Sequence, residues 1–152
     1  MKQTTLCYIE KDGCYLMIHR TRKVNDENRD KWLGIGGKIE DGESPFDCVR
    51  REVMEETSLT MDSLSYRGII TFVSDEFGTE YMHLFKCDSF VGVPLSANNE
   101  GELEWIDKTK LLSLPMWEGD RIFLELLDTD IPFFSLKLCY SGDKLIGHTL
   151  EY

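Results

Sequence analysis

Residues 37–59 read GKIEDGESPFDCVRREVMEETSL. Glu52, Glu55 and Glu56 stand at i, i+3 and i+4, so a helix carries all three on one face. The helix is well marked. Ser44 is placed to cap it, Pro45 fits the first helical position, and Asp47 sits where a capping-box acid belongs. Phe46, Val49 and Val53 recur at i, i+3 and i+7 and form its apolar stripe. The acids fall in the second half, where the helix dipole favours cations, and Glu52 and Glu56 repel by roughly 0.2–0.5 kcal/mol. Arg51 precedes Glu55 by four, the weaker orientation for a helical ion pair. Local stability does not ask for this arrangement; a bound cation does. Taken alone, the three acids also read as a solvated acidic face.

The flanks decide between these readings. Gly36 and Gly37 precede the helix, where backbone can approach a ligand closely. Gly37 is followed after five residues by Glu43, and seven residues further on by Arg51-Glu52-Val53-Met54-Glu55-Glu56-Thr57-Ser58-Leu59. This closely resembles the Nudix box, G-x5-E-x7-R-E-U-x-E-E-x-G-U with U apolar. The departure is Ser58, where the family has the glycine that closes the helix; it removes no metal ligand and should cost turn geometry.

The resemblance implies a mixed α/β (α+β) chain with the Nudix fold, an α/β/α sandwich around a mixed sheet. It implies metal ligation by Glu52, Glu55, Glu56 and the carbonyl of Gly37, with Glu100 as a further metal-binding or basic acid. Arg51 then orients a neighbouring glutamate through an ion pair with Glu43, and Lys38 stabilises charge on the leaving phosphates. Glu52 is the first choice of general base, with Glu55 and Glu100 as alternatives.

The chemistry fits these residue types. Mg²⁺, or alternatively Mn²⁺, prefers hard oxygen ligands and shares its shell with substrate phosphates. No His or Cys cluster points to zinc. The expected substrate is therefore a polyphosphate, attacked in line by water while a carboxylate takes the proton.

At 152 residues the chain is long enough for one domain with its own core, and residues 1–152 are read as a single domain. No stretch approaches the roughly 18 apolar residues of a membrane span. The start, MKQTTLCYIEKDG, lacks an apolar signal region, so a cytoplasmic location is expected. Five scattered cysteines without a C-x-x-C pair read as free thiols. A net charge of −11 argues against a broad DNA or RNA surface but leaves room for a small phosphorylated partner. The sequence does not decide between monomer and homodimer.

In chain order, residues 3–9 and 14–20 read as strands turning at Asp12-Gly13. The second ends in Arg20, Arg22 and Lys23, either a solvated basic end or, through Arg20 or Lys23, a contact to substrate phosphates. Residues 24–31 read as a polar loop on the pocket rim, and 32–38 as a short strand entering the glycine turn. Residues 65–73 and 80–90 read as longer strands. Glu100, Glu102 and Glu104 alternate as on an exposed strand face, ending at Trp105-Ile106. A short helix is expected over 107–114, a longer one from the LPMWEGD segment with Asp120 near its start, and a final hairpin turning at Ser141-Gly142-Asp143.

The wider chain resembles the MutT-like enzymes that act on oxidised purine nucleotides such as 8-oxo-dGTP. In such relatives a Trp-x-Asp-Asp element grips the purine. Here Trp117 is placed either to stack on the base or to anchor the helix to the core, and Asp120 to bond the purine edge, with Phe72 either lining the pocket or in the core. Gly119 replaces the other acid, and Leu33 stands where a base-contacting Asn is found. The alternatives are a hydrolase of ADP-ribose or another nucleoside diphosphate derivative, and a catalytically silent nucleotide sensor.

Overall fold

Two strands with apolar residues on both faces set the architecture. β1 (Lys2–Lys11) and β2 (Cys14–Arg20) are joined by Asp12 and Gly13, at φ 51° and 75°. Both values are positive, the conformation that matches the twist of a tight hairpin. Along β1, Leu6 and Tyr8 enter one core while Cys7 and Ile9 enter another; along β2, Tyr15 and Met17 separate from Leu16 and Ile18 in the same way. A strand buried on both faces is the middle layer of a sandwich.

The computed structural model describes residues 1–152. After β2 come β3 (Trp32–Leu33), β4 (Ile35–Lys38), α1 (Pro45–Thr57), β5 (Thr60–Met61), β6 (Ser65–Ser74) and β7 (Gly78–Cys87). β8 (Phe90–Val91), β9 (Gly101–Asp107), a 3-10 helix at Lys108–Ser113, α2 (Glu118–Leu127), β10 (Phe134–Ser141) and β11 (Lys144–Glu151) complete the chain. The main sheet runs β11-β10-β6-β7-β1-β2-β3, with β4 on β1 and β9 on β2. β1 lies parallel to β7 and β6 parallel to β10; the other pairs are antiparallel. β5 and β8 form a separate small pair.

α1 sends Val49 and Val53 into one core, and α2 sends Phe123, Leu124 and Leu127 into the other. This is the α/β/α sandwich around a mixed sheet. No helix is long and apolar enough to cross a membrane.

The start of α1 has the expected capping box: Asp47 N–H donates to Ser44 Oγ at 3.0 Å, and Ser44 N–H donates to Asp47 Oδ2 at 3.0 Å. Its end shows the cost of the Ser58 departure. Ser58 sits at φ 68°, a left-handed position that a β-carbon disfavours.

Three expected elements differ. The 32–38 strand is broken at Gly34, where a β-carbon would stand 2.8 Å from the Cys7 carbonyl oxygen and 3.0 Å from the Tyr8 ring. The 80–90 strand ends at Cys87, and Phe90–Val91 turns away to pair with β5. The longer helix begins at Glu118, preceded by Trp117 in extended backbone at φ −62° and ψ 135°.

Candidate active site

The site grows from the contact between β4 and α1. An ideal β-carbon at Gly37 would lie 2.4 Å from Glu52 Cδ, so the Glu52 carboxylate occupies the space that any other residue at 37 would fill. Gly37 is therefore set by close approach, and its backbone is held beside a carboxylate.

Arg51 organises the acids. Its Nε and Nη2 donate to the two oxygens of Glu43 at 2.7 and 2.8 Å, a bidentate pair. Nη1 donates to Glu52 Oε1 at 2.8 Å and Glu55 Oε2 at 3.3 Å, and Nη2 to the Lys38 carbonyl at 3.2 Å. One guanidinium thus ties the loop, β4 and the acidic helix face together. The Arg51 hydrogen bonds hold Glu43 down at about 2.

Glu56 lies one turn beyond Glu52 and faces Glu100 from the loop before β9. Asn98 brings these acids together: its Nδ2 donates to the Glu56 carbonyl at 3.1 Å, while its Oδ1 accepts from the N–H groups of Glu100 and Gly101 at 2.9 and 3.2 Å. Burial first, and then the charge of Glu100, push Glu56 well above the usual carboxylate range. Burial also raises Glu52, with Glu55 and Glu100 adding to the effect and Arg51 opposing it. These are carboxylates short of positive charge.

Glu52 and Glu55 are both turned toward Arg51, and no three acids converge into a ready-made metal cage. The donor set still fits a hard divalent cation. It offers carboxylate oxygens with no nitrogen or sulfur ligand, two of the acids raised first by burial and then by their acidic neighbours, beside a glycine cradle that keeps backbone oxygen near. Glu52, Glu55, Glu56, Glu100 and the Gly37 carbonyl are the groups that would hold it.

Glu56 and Glu100 open onto a cavity of about 540 Å³. Gly37, Lys38, Glu56, Glu100, Arg20 and Lys23 line one part, and Leu33, Phe72, Trp117 and Asp120 line it too. Residues from six separate segments thus meet on one space. Glu43, Arg51, Glu52 and Glu55 stand outside its lining. Lys38 is exposed and makes no ion pair. Arg20 and Lys23 reach the cavity already engaged: Lys23 lies 3.1 Å and Arg20 3.6 Å from Glu100, and Arg20 Nε donates to Asp26 at 3.0 Å.

The apolar end is built by α2 and β10. Trp117 is 5% exposed and meets Phe72 and Tyr140 edge-on at 5.3 and 5.1 Å. It belongs to the core and to the cavity at once, as does Phe72. Lys31 Nζ sits 4.4 Å from the centre of the Trp117 ring, covering one face that a base would use. Asp120 is almost fully buried, and burial pushes it up to about 8. Leu33 offers only apolar surface. Gly119 has no room for an acid: a β-carbon there would stand 2.4 Å from Leu138 Cδ1 and 2.8 Å from Tyr140 Oη.

Several contributors escape a reading of the sequence. Asn28 accepts the Trp117 Nε1–H at 2.8 Å, Glu80 Oε2 accepts from Thr4 Oγ1 at 2.7 Å, and Tyr140 Oη accepts the Gly119 N–H at 2.7 Å. Each pair is distant in sequence. The one local signal was polarity in a loop already expected at the pocket rim.

Comparison with known proteins adds a family. Residues 3–127 match the NUDIX domain. The uncharacterized Nudix hydrolase YvcI of Bacillus subtilis is 33% identical over 131 residues, covering 84% of this chain and 79% of that protein. The oxidized purine nucleoside triphosphate hydrolase of Danio rerio is 34% identical over 125 residues, covering 80% of this chain and 78% of its own. Among solved structures, a MutT protein from Bacillus halodurans superposes with a TM-score of 0.88 at 29% identity, covering 99% of this chain and 98% of that one.

Proposed function

The chain belongs to the Nudix hydrolase family, and from that premise we propose that it hydrolyses purine nucleoside triphosphates, 8-oxo-dGTP foremost, to the monophosphate and pyrophosphate. One observation carries this reading. A single cavity has two facing acids, Glu56 and Glu100, at one part and a buried polar group, Asp120, beside aromatic walls at another. A substrate with a purine and a polyphosphate has the two chemistries that such a cavity can hold. The likeness to the Danio rerio oxidized purine nucleoside triphosphate hydrolase supports the same choice.

A divalent cation, Mg²⁺ or Mn²⁺, supplies neutralisation of the phosphates and acidifies water when bound by Glu52, Glu55, Glu56 and the Gly37 carbonyl. The chain's own groups do the rest. Glu52 accepts the proton of the attacking water, and burial, which raises its proton affinity above that of an ordinary carboxylate, favours that role. Water forms a bond to the β-phosphorus as the bond from that phosphorus to the α-bridging oxygen breaks, leaving the nucleoside monophosphate and pyrophosphate. Arg51 holds Glu52 in place and keeps Glu43 ionised as its own partner. Lys38, unpaired and exposed beside Gly37, meets the charge that grows on the departing phosphates. Asp120 bonds the edge of the purine while Phe72 and Trp117 exclude water around it.

The test is pyrophosphate release with Mg²⁺ over 8-oxo-dGTP, dGTP, dATP, ADP-ribose and a dinucleoside polyphosphate. Preference for 8-oxo-dGTP supports the proposal. Preference for ADP-ribose keeps the acidic site and discards the purine pocket. Nucleotide binding without any product turns the reading to a sensor.

A further inference from the structure

The indole Nε1–H of Trp117 is a donor with no acceptor capacity. It donates to Asn28 Oδ1 at 2.8 Å. The Asn28 amide therefore cannot be flipped: its oxygen must face Trp117, and its Nδ2 must point away. Nδ2 makes no hydrogen bond within the chain, and Asn28 lines the same cavity as Trp117, Phe72 and Asp120.

The loop holds this amide in place. Asn28 N–H donates to Asp26 Oδ1 at 3.1 Å, and Asp26 Oδ2 accepts from Arg20 Nε at 3.0 Å. Lys31 N–H donates to the Asn28 carbonyl at 3.0 Å. The same cavity is lined by the carboxyls of Asp120 and Glu80, and Glu80 Oε2 is already accepting from Thr4. Leu33 adds no polar atom. Asn28 Nδ2 is thus a fixed, uncharged pair of N–H donors facing the space where a purine edge would lie.

We infer that Asn28 determines specificity by donating from Nδ2 to an exocyclic carbonyl oxygen of the bound purine, so the cavity favours oxo-purines over a base without one. This rests on the purine triphosphate reading above. The physical basis is asymmetric. A carbonyl satisfies the donor when the base excludes water, whereas an amino group in its place leaves two donors facing each other and costs on the order of 10–100-fold in kcat/KM.

The Asn28→Asp variant separates donation from positioning. It is the same size and keeps an oxygen for the Trp117 Nε1–H, but it removes both donors. The experiment measures kcat/KM for 8-oxo-dGTP, dGTP and dATP with Mg²⁺, alongside the thermal midpoint. The expected result is a loss of about 10–100-fold on the two oxo-purines, carried by KM, with a loss on dATP at least tenfold smaller. Equal losses on all three would make Asn28 a latch for Trp117 and overturn the inference, as would no loss on the oxo-purines. Wild-type turnover of none of the three, with turnover of ADP-ribose, overturns the purine reading and this inference with it.

Discussion

Gly37 and Glu52 share one volume: the carboxylate of Glu52 fills the place of the β-carbon that Gly37 lacks. Gly37 does not have a positive φ, so alanine fits its backbone, and the colliding atoms are the far end of a flexible side chain. Gly37→Ala is therefore expected to leave the thermal midpoint nearly unchanged while moving Glu52 away. Turnover should fall by about 100-fold, since misplacement of a reacting group by about 1 Å costs that much.

Arg51 sets the ionisation of Glu43. Its hydrogen bonds keep Glu43 down at about 2. A lowered pKa contributes stability that is present above the ordinary carboxylate value near 4.5 and lost as pH falls toward 2. In Arg51→Lys the bidentate pair is gone, because an ammonium cannot match both oxygens. Carboxyl NMR titration should then find Glu43 moved up toward the ordinary range, and the variant's loss of stability relative to wild type should be full above about pH 4.5 and shrink as pH falls toward 2.

Asp120 works in the opposite direction. Burial raises it to about 8 from an ordinary value of 3.8. Between these values the folded chain binds more protons than the unfolded one, so this group's stability is complete below about pH 4 and is lost as pH rises through 8. Asp120→Asn removes that dependence. Urea unfolding at acid and at mildly alkaline pH should show a flatter curve for the variant, with the difference amounting to a few kcal/mol.

Helix α1 was legible because its signals are local. Ser44, Pro45, Asp47 and the Val49–Val53 stripe lie within a few turns of one another, and each specifies the same helix. The Nudix box also lies inside one loop and one helix. The β5–β8 pair was not legible, since two residues carry no period and Thr60 finds Val91 only through the fold. The break at Gly34 comes from the neighbouring Cys7 carbonyl and Tyr8 ring, which the local sequence does not show. The purine end is the least legible part. Its polar placements join Asn28 to Trp117, Thr4 to Glu80 and Gly119 to Tyr140, all across long sequence separations. Arg20 and Lys23 read as free cations, yet acids from elsewhere in the chain already pair with them.

Ser58 offers a test free of the active-site chemistry. It ends α1 at φ 68°, is exposed, and sits where the box has glycine. Ser58→Gly should raise stability by about 1 kcal/mol by relieving the left-handed strain, part of it offset by greater freedom in the unfolded chain. Chemical denaturation of the two proteins measures this directly.

The proposed function has the acids on α1 turn over a purine triphosphate in the adjoining cavity. Mg²⁺-dependent pyrophosphate release from 8-oxo-dGTP by the wild-type chain and by Glu52→Gln tests it most directly. Steady turnover by the wild type, its loss on chelation, and a fall of about 1,000-fold or more in kcat for the variant, with the thermal midpoint retained, are the expected results. Full activity in Glu52→Gln, or release that persists after chelation, would contradict it.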